Sequence, residues 1–421
     1  MTPGRLTQAF WILVAAVAIA FGIRAEVGVL VWGGYVLLGV LLVCGVLMRL
    51  GRPRLRVRRY LSATEIRLGG QTTATTEVSG RTVFPLSYSA QDMLSPQLGL
   101  RGERGLVWRS PGQGPWRYHY RLVGRERGYF ALGPVRVSWR DYFGVGQRQE
   151  ETGAVDHLTV YPKVLPVQKI RLLSNRPLGD VRARQQILED PARMAGVRDY
   201  QRGDSLRRIH WKATAHRRRL QSKLYDPFSE VNVNLVLNLN AAEYPLVRAP
   251  HFAELAIVCA ASLTSRIIDD RQAVGLISNG LDLREADGPA GQVADRVGED
   301  PARRVTRLPV RRGHRHLAGI LATLGRLQVR LTFPLWELLV QVHRHLAWTS
   351  SLVVITPSVD ERAVGALMEY KRRGFVVAVI LVGTGEEARE AQIRLAARRI
   401  AAHPVSKEDD LAIIGGAWAR R

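Results

Sequence analysis

A chain of 421 residues exceeds what one hydrophobic core usually encloses, so two or more domains are expected. Its 61 Lys and Arg against 37 Asp and Glu give a formal net charge of +24, which disfavours cationic partners and favours anionic lipid, nucleic acid or an acidic protein surface. Two cysteines, Cys44 and Cys259, and no Cys/His cluster at zinc-ligand spacing argue against a disulfide framework or a structural zinc site. Arginine outnumbers lysine, as it does in products of GC-rich genomes, so charge alone does not assign a function.

Residues Ala9–Ile23 carry no charge, Arg24-Ala25-Glu26 interrupts, and Val27–Met48 is a second uncharged run. A transmembrane helix needs about 20 apolar residues, a length the second run meets and the first approaches. A cleaved signal peptide is the rival reading of the first run. Its basic n-region is thin, no small-residue cleavage site precedes Arg24, and a second run follows at once, so residues 1–50 are read as a membrane hairpin. Arg49, Arg52, Arg54, Arg56, Arg58 and Arg59 follow the second run, whereas the link between the runs is nearly neutral. The Lys/Arg bias places both ends, and the bulk of the chain, on the cytoplasmic side of the inner membrane, with the arginines near anionic headgroups.

From 55 to 166 the pattern is β, in short runs such as Thr72–Val78, Trp116–Leu122 and Val135–Trp139 separated by Gly, Ser and Pro. Regular short strands of this kind predict an antiparallel sandwich-like domain, without a catalytic constellation. Residues 167–230 are Arg-rich and read as a connector. From 231 to 421 strand and helix alternate. Strands are expected at Val231–Leu239, Ala273–Ile277, Ser351–Ile355 and Phe375–Val382. Helices are expected at Phe252–Ile268, His314–Leu327, Leu335–Leu346, Glu361–Arg373 and Glu386–Ala401. This alternation predicts an α/β domain: a parallel sheet with helices on both faces.

The stretch Gly196-Val197-Arg198-Asp199-Tyr200-Gln201-Arg202-Gly203-Asp204-Ser205-Leu206-Arg207-Arg208-Ile209-His210-Trp211-Lys212-Ala213-Thr214-Ala215-His216-Arg217 resembles the signature of the DUF58 family, G-x-R-x-Y-x-x-G-D-x-x-R-x-I-x-W-x-x-x-A-R, with His216 displacing the last Arg. Upstream, Arg127–Pro134, Arg140–Gly144 and Val160–Pro162 resemble the family's RG-Y-x-LGP, D-P-FG and V-Y-P series, with Tyr142 in place of the usual Pro. The resemblance implies a transmembrane hairpin, a β-rich domain and a domain similar to von Willebrand factor A. It also implies MoxR-type AAA+ ATPases and transglutaminase-like membrane proteins as partners. Von Willebrand A domains hold Mg²⁺ through D-x-S-x-S after the first strand, using hard oxygen ligands. The matching residues here are Asn238-Leu239-Asn240-Ala241-Ala242, and Thr356-Pro357-Ser358 stands where a later Asp is expected. The metal site is therefore expected to be degenerate, with Asn238 and Asn240 satisfying backbone groups at a strand end.

Between Arg198 and Lys223 nine cationic residues face two carboxylates, Asp199 and Asp204. Arg suits bidentate contact with carboxylate or phosphate, so Arg198, Tyr200, Gly203, Asp204, Arg207, Arg208, Trp211 and Lys212 form a candidate partner-binding surface. The competing reading is internal: Asp204 holds neighbouring arginines while Tyr200, Ile209 and Trp211 pack the connector onto the α/β domain. His210 and His216 lack a paired nucleophile, and no P-loop, nucleophile elbow, HExxH or kinase motif is present. No cofactor and no enzymatic activity are expected. The leading expectation is a membrane scaffold that docks an AAA+ ATPase. The alternatives are a membrane-tethered nucleic-acid or anionic-lipid binder and a divergent metal-dependent adhesion module. Nucleic acid is disfavoured because aromatics are not interleaved through the basic stretch as a stacking platform requires.

Overall fold

The structure, a computed structural model, describes residues 3–50, 54–81, 87–109, 115–140, 147–168, 189–201, 204–227, 232–246, 248–286, 304–343, 346, 350–412 and 414. The chain divides into two compact units. The first comprises Met1–Lys163 with Asp282–Gly288 and Leu321–Leu327, and the second comprises the rest.

The first unit begins with α1 (Pro3–Arg24) and α2 (Gly28–Leu50), joined by a tight turn in which Glu26 is left-handed. The helices pair closely because small residues line their seam: Ala15 is fully buried, and a Cβ on Gly22 would lie 2.8 Å from Val31. Their outer faces show Phe10, Leu13, Phe21, Val29 and Trp32 to the surroundings, each more than half exposed. The stretch Gly28–Val46 is long and apolar enough to cross a membrane, and Gln8–Arg24 is a shorter apolar helix beside it.

Ten strands follow: β1 (Arg54–Leu61), β2 (Glu65–Arg67), β3 (Gln71–Arg81), β4 (Ser87–Leu94), β5 (Leu98–Arg101), β6 (Gly105–Arg109), β7 (Trp116–Gly124), β8 (Gly128–Arg140), β9 (Gln147–Thr152) and β10 (Asp156–Tyr161). One sheet runs β1-β3-β7-β5 and the other β2-β10-β8-β4-β6, with β9 also on β8. Period-two burial builds their shared core. Thr72, Ala74, Thr76 and Val78 of β3 and Tyr118, Tyr120 and Leu122 of β7 point inward, as do Phe130, Leu132, Val135 and Val137 of β8. The pairing is antiparallel except that β10 runs parallel to β2, which departs from the all-antiparallel expectation. A sequence pattern reports which residues face inward, and that face is the same for either strand direction.

One polar group is sealed into this core. Arg59 pairs with Asp92, their side chains 2% and 0% exposed, and reaches Asp156 at 3.0 Å and the Leu132 carbonyl at 2.6 Å. Asp92 also accepts from the Thr76 hydroxyl at 2.9 Å and the Tyr118 hydroxyl at 3.0 Å. Burial, and then the Asp92 charge, push the Tyr118 phenol far above its ordinary value, so it stays a donor.

In the second unit β11 (Glu189–Asp199) and β12 (Gln221–Pro227) form an antiparallel ribbon, and the seven-residue α3 (Trp211–Arg217) precedes β12. Then come β13 (Asn232–Leu237), α4 (Ala249–Asp269), β14 (Ala273–Ser278), the short β15 (Leu281–Asp282), β16 (Thr306–Arg311), α5 (His314–Arg326) and the short β17 (Leu327–Gln328). The chain closes with α6 (Leu335–His343), β18 (Ser351–Thr356), α7 (Glu361–Arg372), β19 (Val376–Val382), α8 (Glu386–Ala397) and β20 (Ala401–Val405). The main sheet has the order β16-β14-β13-β18-β19-β20. Five of its strands are parallel, but β16 is antiparallel to β14, so the fully parallel sheet expected from sequence is corrected to a mixed one. Edge strand β16 has only one half-buried face and carries Arg307, Pro309 and Arg311, which hides it among loop-like residues. The central strands β14 and β18 are buried throughout and β13 is buried from Val233 on, with Asn234 as a polar residue inside it. Helix α4 is also apolar and long enough to span a membrane, but it is mostly buried inside the unit and serves as a core helix.

Candidate functional site

Counted along the chain, the main sheet runs third, second, first, fourth, fifth and sixth strand, so the order reverses between β13 and β18. In such sheets the crevice beyond the strand C-termini at the reversal is where ligands bind. Here that place is filled by the protein's own side chains. Asn238, fully buried at the end of β13, donates through Nδ2 to Glu243 Oε2 at 2.7 Å and to Thr356 Oγ1 at 3.0 Å. Its Oδ1 accepts from the Asn240 backbone at 3.1 Å and from Asn279 Nδ2 at 2.9 Å. Every hydrogen-bonding capacity of the amide is therefore used.

Asn240 is equally committed. Its Oδ1 accepts from the backbone of Ala242 at 3.3 Å and Thr332 at 3.2 Å, and its Nδ2 reaches Glu243 at 3.3 Å. Glu243 also accepts from the Leu335 backbone at 2.8 Å. Burial raises the Glu243 carboxyl above its ordinary value, while these three donors pull the other way. Tyr244, wholly buried, donates to the Asn238 carbonyl at 2.8 Å. Asn279 bridges to the Leu239 backbone at 2.7 Å and the Phe333 carbonyl at 2.9 Å.

This donor set does not suit a divalent cation. The atom of residue 238 facing Glu243 is an N–H donor, Ala242 and Pro357 offer no side-chain oxygen, and the one carboxylate already holds three donors. Asp360 Oδ1 accepts from the Ala363 backbone at 2.7 Å and caps α7. Among the described residues no three His, Cys, Asp or Glu side chains converge as a metal site. Sequence reasoning found Asn238 and Asn240 but missed Glu243 and Asn279. Their signal was present as polar residues just beyond the ends of two apolar strands.

The signature segment forms a second site. Asp204 pairs with Arg198 at 2.7 Å and accepts from the Gln201 backbone at 3.1 Å, and these contacts hold its carboxyl below the ordinary range, the backbone bond foremost. The Tyr200 hydroxyl reaches the Asp204 carbonyl at 3.3 Å, and Tyr200 is half-buried. Gly203 and Arg202 lie outside the described residues. Arg207 and Arg208 sit on a one-turn 3-10 helix (Leu206–Arg208), exposed.

Behind that turn Ile209 is buried, His210 caps α3 by accepting from the Ala213 backbone at 3.0 Å, and the His210 backbone bonds the Gln221 carbonyl at 2.8 Å. Thr214 Oγ1 accepts from the Gln221 backbone at 3.0 Å. The turn and helix are thus pinned to β12. Trp211 projects outward, 68% exposed, beside exposed Lys212 and with Leu206 at 69% and Leu220 at 45%. Of the residues in the competing internal reading, Ile209 is buried, while Trp211, the first residue of α3, is exposed. Leu206 to Leu220 contains six Arg and Lys and no acidic residue.

Residues 196–297 match the model of the family described as "Protein of unknown function DUF58". No curated protein matches the chain. Among solved structures, a von Willebrand factor type A protein from Catenulispora acidiphila is 12% identical with a TM-score of 0.29, covering 48% of this chain and 44% of its own. This chain thus spans less than half of that protein's length. The CARDB domain of a Pyrococcus furiosus protein, solved with di-metal ions, is 11% identical with a TM-score of 0.17, covering 26% of this chain and 93% of its own. Cwp6 from Clostridium difficile is 9% identical with a TM-score of 0.15, covering 84% of this chain and 53% of its own. At such scores these likenesses carry no weight, and the fold rests on the strand order given above. The stretch matched by the DUF58 model runs from the signature turn through β13, α4 and β14.

Proposed function

We propose that the chain is a membrane-anchored, non-enzymatic docking module. The helix pair holds it in the inner membrane with the rest of the chain in the cytoplasm, comprising a sandwich-like β domain and an α/β domain of von Willebrand A type. The signature surface engages an acidic protein partner, for which a MoxR-type AAA+ ATPase is the expected candidate and a transglutaminase-like membrane protein a further one. The carrying observation is Trp211, 68% exposed at the start of a helix pinned from behind, with exposed Arg207, Arg208 and Lys212 within four residues of it in the chain. Trp and Arg dominate interface hot spots because they combine large contact area with directional charge, and a rigid turn presents them at little entropic cost. A closed polar network in the sheet crevice supports a role in binding rather than catalysis.

Anionic headgroups are a second reading of the same surface, favoured by the exposure of Leu206 and Leu220 among cations. The test is a pull-down of full-length protein in detergent, with and without ATP, read by mass spectrometry and by absorbance for nucleic acid. Recovery of an AAA+ ATPase that is lost in Arg207→Glu plus Arg208→Glu and in Trp211→Ala supports docking. Salt-sensitive recovery of nucleic acid alone, or sedimentation with anionic vesicles without a protein partner, overturns it.

A further inference from the structure

Strand β1 divides its arginines between two faces. Arg59 points into the core and pairs with Asp92, whereas Arg56, Arg58 and Tyr60 alternate outward and are exposed. Helix α2 ends at Leu50 and β1 begins at Arg54, so at most about 14 Å of chain, at about 3.6 Å per residue, separates them.

Backbone pairing carries the outward face of β1 across the whole four-stranded sheet. Arg58 is registered with Glu77, and Glu77 with Arg117. Tyr60 is registered with Thr75, and Thr75 with His119. Thr73 is registered with Arg121, and Arg121 with Arg101. Side chains registered on one face of antiparallel strands stand about 5 Å apart. Contacts run across the face accordingly, Thr75 Oγ1 with His119 Nδ1 at 2.9 Å and Arg117 with Glu77 at 3.5 Å. A Cβ on Gly99 of β5 would lie 2.9 Å from Arg125 Nε, so Arg125 covers the β5 end of the same face. Arginines therefore stand on β1, β7 and β5 alike. Among the described outward positions of these strands Glu77 is the one carboxylate, and it already pairs with Arg117.

We infer that the outer face of the β1-β3-β7-β5 sheet rests on anionic phospholipid headgroups. The inference rests on the membrane anchoring proposed above and gives the first unit a second, peripheral contact with the bilayer. Three features select a lipid surface among anionic partners. The arginines are spread over a grid, about 5 Å between strands and about 7 Å between alternate residues, which suits an array of phosphates better than a single one. The aromatic groups on the face are Tyr60 and His119, too few for the stacking platform that single-stranded nucleic acid uses. The end of α2 holds the start of β1 close to the leaflet, whose negative potential is felt over about 8–10 Å. Arginine keeps its charge there and pairs with phosphate oxygens through its planar fork.

The test uses the full-length protein reconstituted in vesicles of phosphatidylcholine, with or without phosphatidylglycerol. A fluorophore is placed at Gln71→Cys, the native Cys44 and Cys259 being buried. Gln71 lies on the outward face at the end of β3 remote from α2, since Arg54 at the start of β1 is registered with Arg81 at the other end. Tethering alone therefore does not bring Gln71 to the bilayer. Quenching by a nitroxide on the lipid headgroup should be at least about two-fold greater with phosphatidylglycerol present, and high salt should remove the difference. It should fall to the phosphatidylcholine level in Arg117→Glu plus Arg121→Glu and, independently, in Arg101→Glu plus Arg125→Glu. Arg207→Glu plus Arg208→Glu should leave it unchanged, which separates this face from the signature surface. Equal quenching in the two kinds of vesicle, indifference to both pairs of sheet variants, or loss in the Arg207/Arg208 variant alone overturns the inference. Flotation with the vesicles after an alkaline wash reads the anchoring separately. Protein that floats without enhanced quenching overturns the face alone, and protein that does not float overturns the anchoring and, with it, the face.

Discussion

Replacing Asn238 by Asp tests whether the crevice is built as a closed polar plug. The amide Nδ2 lies 2.7 Å from Glu243 Oε2, so an aspartate there would set two carboxylates in contact and remove the donor to Thr356. Two unit charges at about 3 Å repel by roughly 5 kcal/mol at an effective dielectric near 20. The pair escapes by sharing a proton, as close carboxylates do. Keeping one carboxyl protonated at about pH 7, when its ordinary value is near 4, costs about 4 kcal/mol, at about 1.4 kcal/mol per pKa unit. The shared hydrogen bond returns about 1–2 kcal/mol. A loss of about 2–3 kcal/mol follows, or roughly 4–12 °C in Tm for a unit of this size. The sign is fixed by linkage: the pair's folded value is raised, so the penalty is absent below about pH 4 and grows as pH rises toward the folded value. Thermal unfolding of full-length protein and variant at about pH 4.5 and pH 7.5 checks this. A variant equally stable at both pH values refutes the plug. If Mg²⁺ restores the variant's stability but leaves the parent unmoved, one missing charge is all that separates the crevice from a cation site.

Two other expectations are more local. Asp92→Asn leaves Arg59 charged and sealed in the first unit's core, and should cost about 3–5 kcal/mol, whereas Asp92→Leu with Arg59→Met should recover much of that loss. Thermal unfolding reads both, and a double variant no better than the single would show that the ion pair is not the source. In the signature turn the Asp204 carboxyl is held low by the Gln201 backbone and Arg198, so its contribution is present above the ordinary carboxylate range and lost as pH falls through the depressed value. Hydrogen-exchange protection at the Gln201 amide should therefore drop only below about pH 4, and Asp204→Asn should flatten that dependence. A neutral-pH midpoint would assign the turn to another group.

How far the sequence carried depends on which forces leave a linear trace. Uncharged runs gave α1 and α2, because a long apolar stretch is a property of composition. Alternation gave β3 and β7, and apolar runs, interrupted in β13 by Asn232 and Asn234, gave β13, β18 and β19, because burial on one face or both is a property of consecutive residues. Strand β16 escaped because an edge strand needs only half a pattern, and β20 escaped because Ala401-Ala402-His403-Pro404-Val405 has none. Asn238 and Asn240 were legible, since side-chain identity at a strand end is local. Their partners were not: Glu243 and Asn279 reach Asn238 from different loops, a tertiary fact.

Trp211 keeps its place in the candidate partner-binding surface, 68% exposed. A large ring left in water forgoes the transfer free energy that burial would give, about 2 kcal/mol, and here it does so at the start of a helix tied to β12 by the bond from the His210 backbone to the Gln221 carbonyl. A partner that covered the ring would recover that free energy, and the exposed Arg207, Arg208 and Lys212 would give the partner's acidic groups a counter-charge.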